Sequence, residues 1–576
     1  MRQKIRKMYD IKASNDEYIR QDRLKIFSMW FLLAFAVGLI LRLVLLNTMV
    51  YTQNELVLVN QALQISRRTS ADTSMVPVYT GLTGWLFFLF GSGNLLARLL
   101  PAIFGATLVL LPWAWRDRLG QKTALILSFG LAFEPTYLLF SRAIHGGIFA
   151  IAGLLWAFTF LKKNKPLLAG VSLAFTLLSG SSFWHSILFI GLTYLIMRIV
   201  KPGYAKDLFS FQLGSGKRAW ISLAAGFVVS SVLILTSFLL DPSGLGGVAS
   251  GIIGFAGNFA QPFEKPIYHT IYLLIAHSLL PLLVFFLGFL AFRTTKQSNW
   301  YRIGAVSILI SLTIGALISR DSYELLLWPV LLSWIGGAIW LGKLKISLKQ
   351  SWFSTAILMG FVLAILIYLL VNIGRLAGLP FGTPQFWSIF LMIIAGVILL
   401  VSSWWLVKFG WSEGNGNKIF LVTLLLFLAI LTLGDSTRSL HSAQQVRSIE
   451  YLDNQLVLPN NDIESILADF DLTGKPLQQS GNFSLIDLPD EFSWYFREFA
   501  IERNDPETSV ILTRTSVMPD QNVEFRGINV VLERTIDWKK DSLTTYLQAL
   551  IGKPTQFENQ KGVLWVRTNL FTGASQ

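Results

Sequence analysis

Residues Ile26–Leu46 read IFSMWFLLAFAVGLILRLVLL, and the polar stretch Asn47–Glu55, NTMVYTQNE, follows at once. At about 1.5 Å per residue such a run crosses the ~30 Å hydrocarbon layer of a bilayer as a helix. Working outward, long apolar runs recur at 27–47, 95–115, 122–140, 143–161, 166–181, 184–200, 219–240, 268–292, 303–319, 322–342, 352–374, 385–407 and 418–435. About thirteen transmembrane helices are therefore predicted, an all-α polytopic bundle. With 53% hydrophobic and 14% charged residues, one water-soluble core is excluded. Residues Met1–Lys25 are polar and basic, and the first apolar run is too long for a signal-peptide core, so it reads as a retained anchor.

Charge placement orients the bundle. If alternate connections face the cytoplasm, those segments hold 27 Lys and Arg. The opposite connections hold six: Arg67, Arg68, Arg142, Lys265, Arg320 and Arg375. The positive-inside rule then puts the N-terminus in the cytoplasm and, with an odd number of spans, the C-terminus outside. Residues 441–576 carry 12 basic and 19 acidic groups, so the formal net charge of +14 comes from the membrane part. It reports topology and gives no reason to expect a nucleic-acid partner. The absence of cysteine excludes disulfides, thiolate catalysis and thiolate-held metals.

Three regions follow: a basic cytoplasmic segment 1–26, a transmembrane domain 27–435, and an extracytoplasmic α/β domain 441–576. Two outer connections are too long for turns. In 48–94, Glu55–Ser66 reads as a helix with Leu56, Val59 and Leu63 on one face, and Pro77–Phe90 as an interfacial helix too short to span. The stretch 241–267, with Gly244, Gly246, Gly247, Gly251, Gly254 and Gly257, reads as a flexible or re-entrant loop. In the tail, strands are predicted at Ser509–Thr515, Ile528–Arg534 and Gly562–Thr568, and a helix at Ser542–Ile551.

Ionisable groups at membrane depth cost about 2.5 kcal/mol or more, so those near the outer ends of spans are candidates for function. They are Arg42, Glu55, Arg98, Glu134, Arg142, His145, Lys265, His269, Arg320, Asp321, Glu324 and Arg375. A carboxylate just after the first span suits removal of a proton from an acceptor hydroxyl. Cations from several spans suit a lipid phosphate as leaving group. Plainer readings stand beside these. Glu55 opens a helix, where an acid favours the dipole. Arg142 and Arg320 anchor span ends by reaching to headgroups. Glu134, next to Pro135, ends a helix at the interface. Lys265 pairs with Glu264. His185, His269 and His277 are isolated, without metal-ligand spacing.

The stretch Gln53-Asn54-Glu55, followed by Pro77-Val78-Tyr79, Leu86–Gly91, Ala97–Ala102 and Phe104-Gly105, resembles the start of GT-C type membrane glycosyltransferases. Leu110–Trp113, Arg116, Leu119-Gly120 and Ser141-Arg142 continue the likeness, as does Ser493-Trp494-Tyr495-Phe496-Arg497 in the tail. The likeness is greatest to the bacterial and archaeal branch related to protein mannosyltransferases, which includes flippase-associated members. It implies a GT-C fold and transfer of a sugar from a polyprenyl-phosphate donor to a glycan or protein acceptor at the outer face of the cytoplasmic membrane. On it, Glu55 is the catalytic base, and Arg142, Arg320 and Lys265 bind the donor phosphate. Tyr79, His145, Arg98 and Tyr268 line the pocket. A divalent metal, Mg or Mn, is compatible with the resemblance, though the outer loops offer few of the oxygen ligands it needs. The departures are specific. The family's His-Asp-Glu is Gln53-Asn54-Glu55, the His after Pro-Val-Tyr is Thr80, and Ser-Arg-Phe-x-Arg-x-Asp becomes Ser-Arg-Ala-Ile-His145-Gly146-Gly147. They raise a rival reading, a relative that binds a lipid-linked sugar or a partner protein without turnover. A transporter would instead show broken helices paired between halves and charges at the midplane.

Overall fold

The computed structural model describes residues 27–69, 74–200, 203, 217–260, 268–294, 298–317, 323–344, 352–376, 379–380, 382–410 and 413–441 of the helical part. In the tail it describes 455–457, 482–497, 500–501, 510–514, 524–535 and 558–568. The predicted tail helix Ser542–Ile551, and Lys265, Arg320 and Asp321, lie outside the described residues, as does the side chain of Tyr268.

Each of the thirteen predicted runs holds a helix, but they are not equal. Among the described residues nine are long and apolar enough to cross a bilayer, from Phe27–Thr48 to Gly416–Arg438, and a tenth is the bent pair Gln121–Phe133 and Pro135–Arg142. The helices Gly146–Lys162 and Pro166–Leu177 are apolar but shorter. The solvent these helices expect is legible on their surfaces. Leu391, Ile398 and Leu406 of the Pro384–Gly410 helix are 62, 60 and 73% exposed, an apolar face left largely uncovered by the described residues. Such a face is stable in lipid and a liability in water.

The glycine-rich stretch differs from expectation. Gly247–Gly257 is a helix, because its glycines permit close approach rather than flexibility. A Cβ at Gly247 would fall 2.5 Å from Pro77 Cγ, and one at Gly251 3.1 Å from the Gly180 Cα. Tertiary contact has overridden the poor helix propensity of glycine.

In the first connection, helices form at Gln53–Ser66 and Pro77–Phe90. Just before them lies a two-residue strand, β1 (Tyr51–Thr52), which joins the tail. The tail strands are β2 (Gln455–Val457), β3 (Asn482–Ile486), β4 (Ala500–Ile501), β5 (Val510–Thr513), β6 (Phe525–Thr535) and β7 (Glu558–Arg567). They form one sheet in the order β1-β2-β6-β7-β5-β3-β4. The sheet is mixed: β3 runs parallel to β4 and β5, and the other pairs are antiparallel. Tyr51 sits opposite Val457 and Thr52 opposite Leu456, so the first connection and the tail share one end of the helix bundle.

Candidate functional site

Glu55 occupies the third position of a helix whose N-cap is Thr52. The cap is reciprocal: Thr52 Oγ1 accepts from the Glu55 N–H, and Glu55 Oε2 accepts from the Thr52 N–H at 2.9 Å. This capping box fixes the carboxylate's direction before any tertiary contact is made. Arg98, arriving from the Asn94–Ala114 helix, donates from Nη2 to the same Oε2 at 3.1 Å. The remaining oxygen, Oε1, accepts from the Ile144 N–H at 2.8 Å. Glu55 is 2% exposed and Arg98 fully buried.

Arg98 does more than neutralise Glu55. Its Nη1 donates to Met49 O at 2.6 Å and its Nη2 to Val50 O at 3.0 Å, and its Cζ stands 4.0 Å over the Tyr51 ring. One guanidinium thus holds the end of the first span, β1 and the site carboxylate together. Burial pushes the Tyr51 hydroxyl up to about 12, with Arg98 pulling the other way. Tyr79 is fully buried beside this group.

The Ile144–His145 pair is extended backbone between the helices Pro135–Arg142 and Gly146–Lys162, and it links two carboxylates. Ile144 reaches Glu55 through its backbone. His145 places Nδ1 3.3 Å from Oε2 of Glu324, in the turn before the Leu327–Lys343 helix. His185 Nδ1 lies 2.8 Å from Glu324 Oε1, and Ser182 Oγ donates to Oε2. His185 Nε2 in turn faces Asn258 Nδ2 at 3.4 Å. The apparently isolated His185 is therefore part of a buried acid–imidazole cluster, joined to Glu324 across 139 residues of sequence.

Arg142 is fully buried at the end of the first span. Its Nη1 donates to Leu41 O at 2.9 Å and Val44 O at 2.6 Å, carbonyls that a helix end leaves without partners. Its Nε and Nη2 make no hydrogen bond among the described residues. It therefore closes a helix and keeps donors in reserve. Arg42 donates to Gly38 O and Leu131 O, a role inside the bundle rather than in a pocket.

Glu134 departs from its plain reading. It does end a helix, but it is fully buried inside the bundle, at a 55° bend. Ser278 Oγ donates to its Oε1 at 2.5 Å and Trp334 Nε1 to its Oε2 at 2.7 Å. Ser278 is itself at a break, with φ −128° and ψ 32°, three residues before Pro281. The proline ring conflicts with the carbonyl four residues back, which opens the helix there. Nearby, His277 Nδ1 pairs with Asp435 Oδ2 at 2.9 Å.

The tail closes over the first connection through the Ser493–Arg497 segment. Trp494 is fully buried; it stacks on Phe87 at 5.6 Å and meets Tyr51 edge-on at 6.1 Å. Its Nε1 and the Tyr51 hydroxyl both donate to Asn94 Oδ1, each at 3.2 Å. Arg67 Nη2 donates to Arg497 O at 2.6 Å. Among the described residues no group of three or more His, Asp or Glu is arranged to hold a metal ion. In the nearest case, both imidazoles direct Nδ1 at the Glu324 oxygens rather than at a shared point.

No protein-family profile and no curated relative matches the chain. Solved structures do. Crystallised ArnT from Cupriavidus metallidurans bound to undecaprenyl phosphate superposes with a TM-score of 0.54 at 12% identity, over 94% of this chain and 99% of that one. The same protein in the apo state gives 0.50 at 13% identity, over 95% and 99%. ArnT is a GT-C glycosyltransferase, and likeness at this identity is likeness of fold. The chain has the GT-C architecture that its sequence resemblance implied, a helical membrane bundle with a C-terminal domain.

Proposed function

We propose that this protein is a membrane glycosyltransferase that moves a sugar from a polyprenyl-phosphate donor to an acceptor hydroxyl at the outer face of the cytoplasmic membrane. The reading is carried by the buried Glu55–Arg98 pair at the head of the first connection. It lies in a fold matched over 94% of its length by a structure that binds undecaprenyl phosphate. Arg98 sets a cation 3.1 Å from the Glu55 carboxylate. A carboxylate offers about four acceptor positions, and three are taken here. The fourth, on Oε1, has no donor among the described residues, and an acceptor hydroxyl would bind there.

The acceptor O–H gives its proton to Glu55 Oε1 as its oxygen bonds to the anomeric carbon. The bond from that carbon to the phosphate oxygen breaks, and the electron pair leaves with the polyprenyl phosphate. A phosphate monoester needs no acid to leave, only cations, and the unused Nε and Nη2 of Arg142 are of that kind. Arg320 and Lys265 are proposed to share the task, with Tyr79, Arg98, His145 and Tyr268 around the sugar. General-base removal of the hydroxyl proton contributes about 10²–10⁴-fold.

The missing side chain at Gly147 supports a second reading, a protein that binds lipid-linked sugar without turnover. One experiment separates the two. Purified full-length protein is given undecaprenyl-phosphate mannose or glucose and candidate acceptors, with and without Mg²⁺ or Mn²⁺, and released undecaprenyl phosphate is counted. Release by wild type that is lost in Glu55→Gln supports transfer. Donor binding with no release under any condition supports the second reading.

A further inference from the structure

Gly147 stands where the resembling family carries an acid, and the space a side chain would take there is already filled. A Cβ on Gly147 would lie 2.8 Å from Glu324 Cβ, 3.1 Å from Glu324 Oε2 and 3.3 Å from His145 Nδ1. A carboxylate stands there all the same, brought by the Tyr323–Leu326 turn. We propose that Glu324 is the second acid of the sugar-transfer site and that it acts through His145. This rests on the function proposed above.

Four observations carry it. Glu324 is 4% exposed at membrane depth, where an acid is retained only with strong compensation. That compensation is two imidazoles and a hydroxyl, more than a helix turn requires. His145 is the outward member: its side chain is 20% exposed, and its contacts with Gly147 and Glu324 both run through Nδ1, on the other side of the ring from Nε2. The residue before it holds Glu55, so both acids serve one two-residue bridge.

His145 Nδ1 has two competing partners. It accepts from the Gly147 N–H at 3.0 Å, which leaves Nε2–H as a donor. Turned to Glu324, it carries the proton on Nδ1 and presents Nε2 as an acceptor, the arrangement in which a carboxylate orients an imidazole base. Glu324 thus selects which face His145 offers to a sugar hydroxyl. It is a positioning residue, and His145 is the group that touches substrate.

The test exchanges the two sources of the acid in the full-length protein in detergent micelles. Wild type, Glu324→Ala, Gly147→Asp and the double variant are compared for unfolding midpoint and for kcat and KM with undecaprenyl-phosphate mannose. They are also compared for stabilisation by that donor beyond bare undecaprenyl phosphate. Glu324→Ala is expected to lose at least 10²-fold in kcat with little change in KM. Gly147→Asp alone is expected to lower the midpoint and lose turnover, since two acids then share one space. The double variant is expected to regain the midpoint and at least a tenth of kcat.

A double variant no better than Glu324→Ala overturns the proposal. So does recovery of the midpoint without turnover or sugar-dependent stabilisation, which assigns Glu324 a packing role. If wild type releases nothing but sugar-dependent stabilisation follows the same four-way pattern, transfer is rejected and the Glu324–His145 site stands. If wild type shows neither, both fall.

Discussion

Replacing Glu55 by Gln tests the site where its chemistry and its stability meet. The Gln amide oxygen can still accept from Thr52 N–H and Arg98, but its NH₂ then faces the Ile144 N–H, donor against donor. Arg98 keeps its Met49 and Val50 carbonyls and loses its anionic partner among the described residues. Removing one member of a buried ion pair costs about 3–5 kcal/mol, and we expect that loss for Glu55→Gln. Arg98→Met is expected to cost about as much, because it strands the carboxylate and two carbonyls. The double variant has no stranded charge, so its cost should fall short of the sum by about 2–3 kcal/mol. Denaturant unfolding in mixed micelles measures all four corners, and sugar release is recorded on the same samples. Glu55→Gln and the double variant should both be inactive, although the double variant is more stable than the sum of the two single costs would make it. Costs that add to within about 0.5 kcal/mol would refute the coupled pair, and full sugar release by Glu55→Gln would reject the base assignment.

Trp494→Ala removes the stack on Phe87 and a donor to Asn94, and at about 3–5 kcal/mol for a buried Trp it should undock the tail. Limited proteolysis should then release residues beyond 441 faster than in wild type, and an unchanged cleavage rate would count against the docking role. Tyr51 predicts an alkaline limb. A hydroxyl whose folded value is raised from about 10 to about 12 holds its proton more tightly when folded, so stability is intact below pH ~10 and declines as pH rises to ~12. Two units correspond to roughly 3 kcal/mol. Tyr51→Phe should flatten this limb, and an identical pH profile in the variant would show that the decline lies elsewhere. Arg142→Met leaves the Leu41 and Val44 carbonyls unpaired, at about 1–3 kcal/mol, and should raise KM for the lipid donor at least tenfold. A stability loss with unchanged KM would confine Arg142 to closing the helix.

Lipid made the candidates legible. An ionisable side chain at membrane depth needs a reason, so Glu55, Arg98, Arg142, His145 and Glu324 stood out in the sequence, and all but the part-exposed His145 are fully or almost fully buried. Scarcity marks the charge but not its partner. Arg142 closes the helix of the first span, about 100 residues earlier, and His185 looked isolated because Glu324 lies 139 residues away. The capping box Thr52–Glu55 is local and was open to reading as a helix start, whereas the Ile144 N–H on its other oxygen has no sequence signature. Likewise, strands β5, β6 and β7 showed as β-rich runs, while β1 is two residues long and forms because the tail supplies its partner. The same asymmetry bears on Gly147. Along the chain, that glycine reads as an acid lost from a motif. In the folded protein, an acid from the Glu324 turn occupies the vacated volume, on the far side of one peptide from Glu55. Acid–base competence in such a bundle is set by which groups share a place. A motif with a gap is therefore weak grounds for calling the site inert until its neighbours in space have been counted.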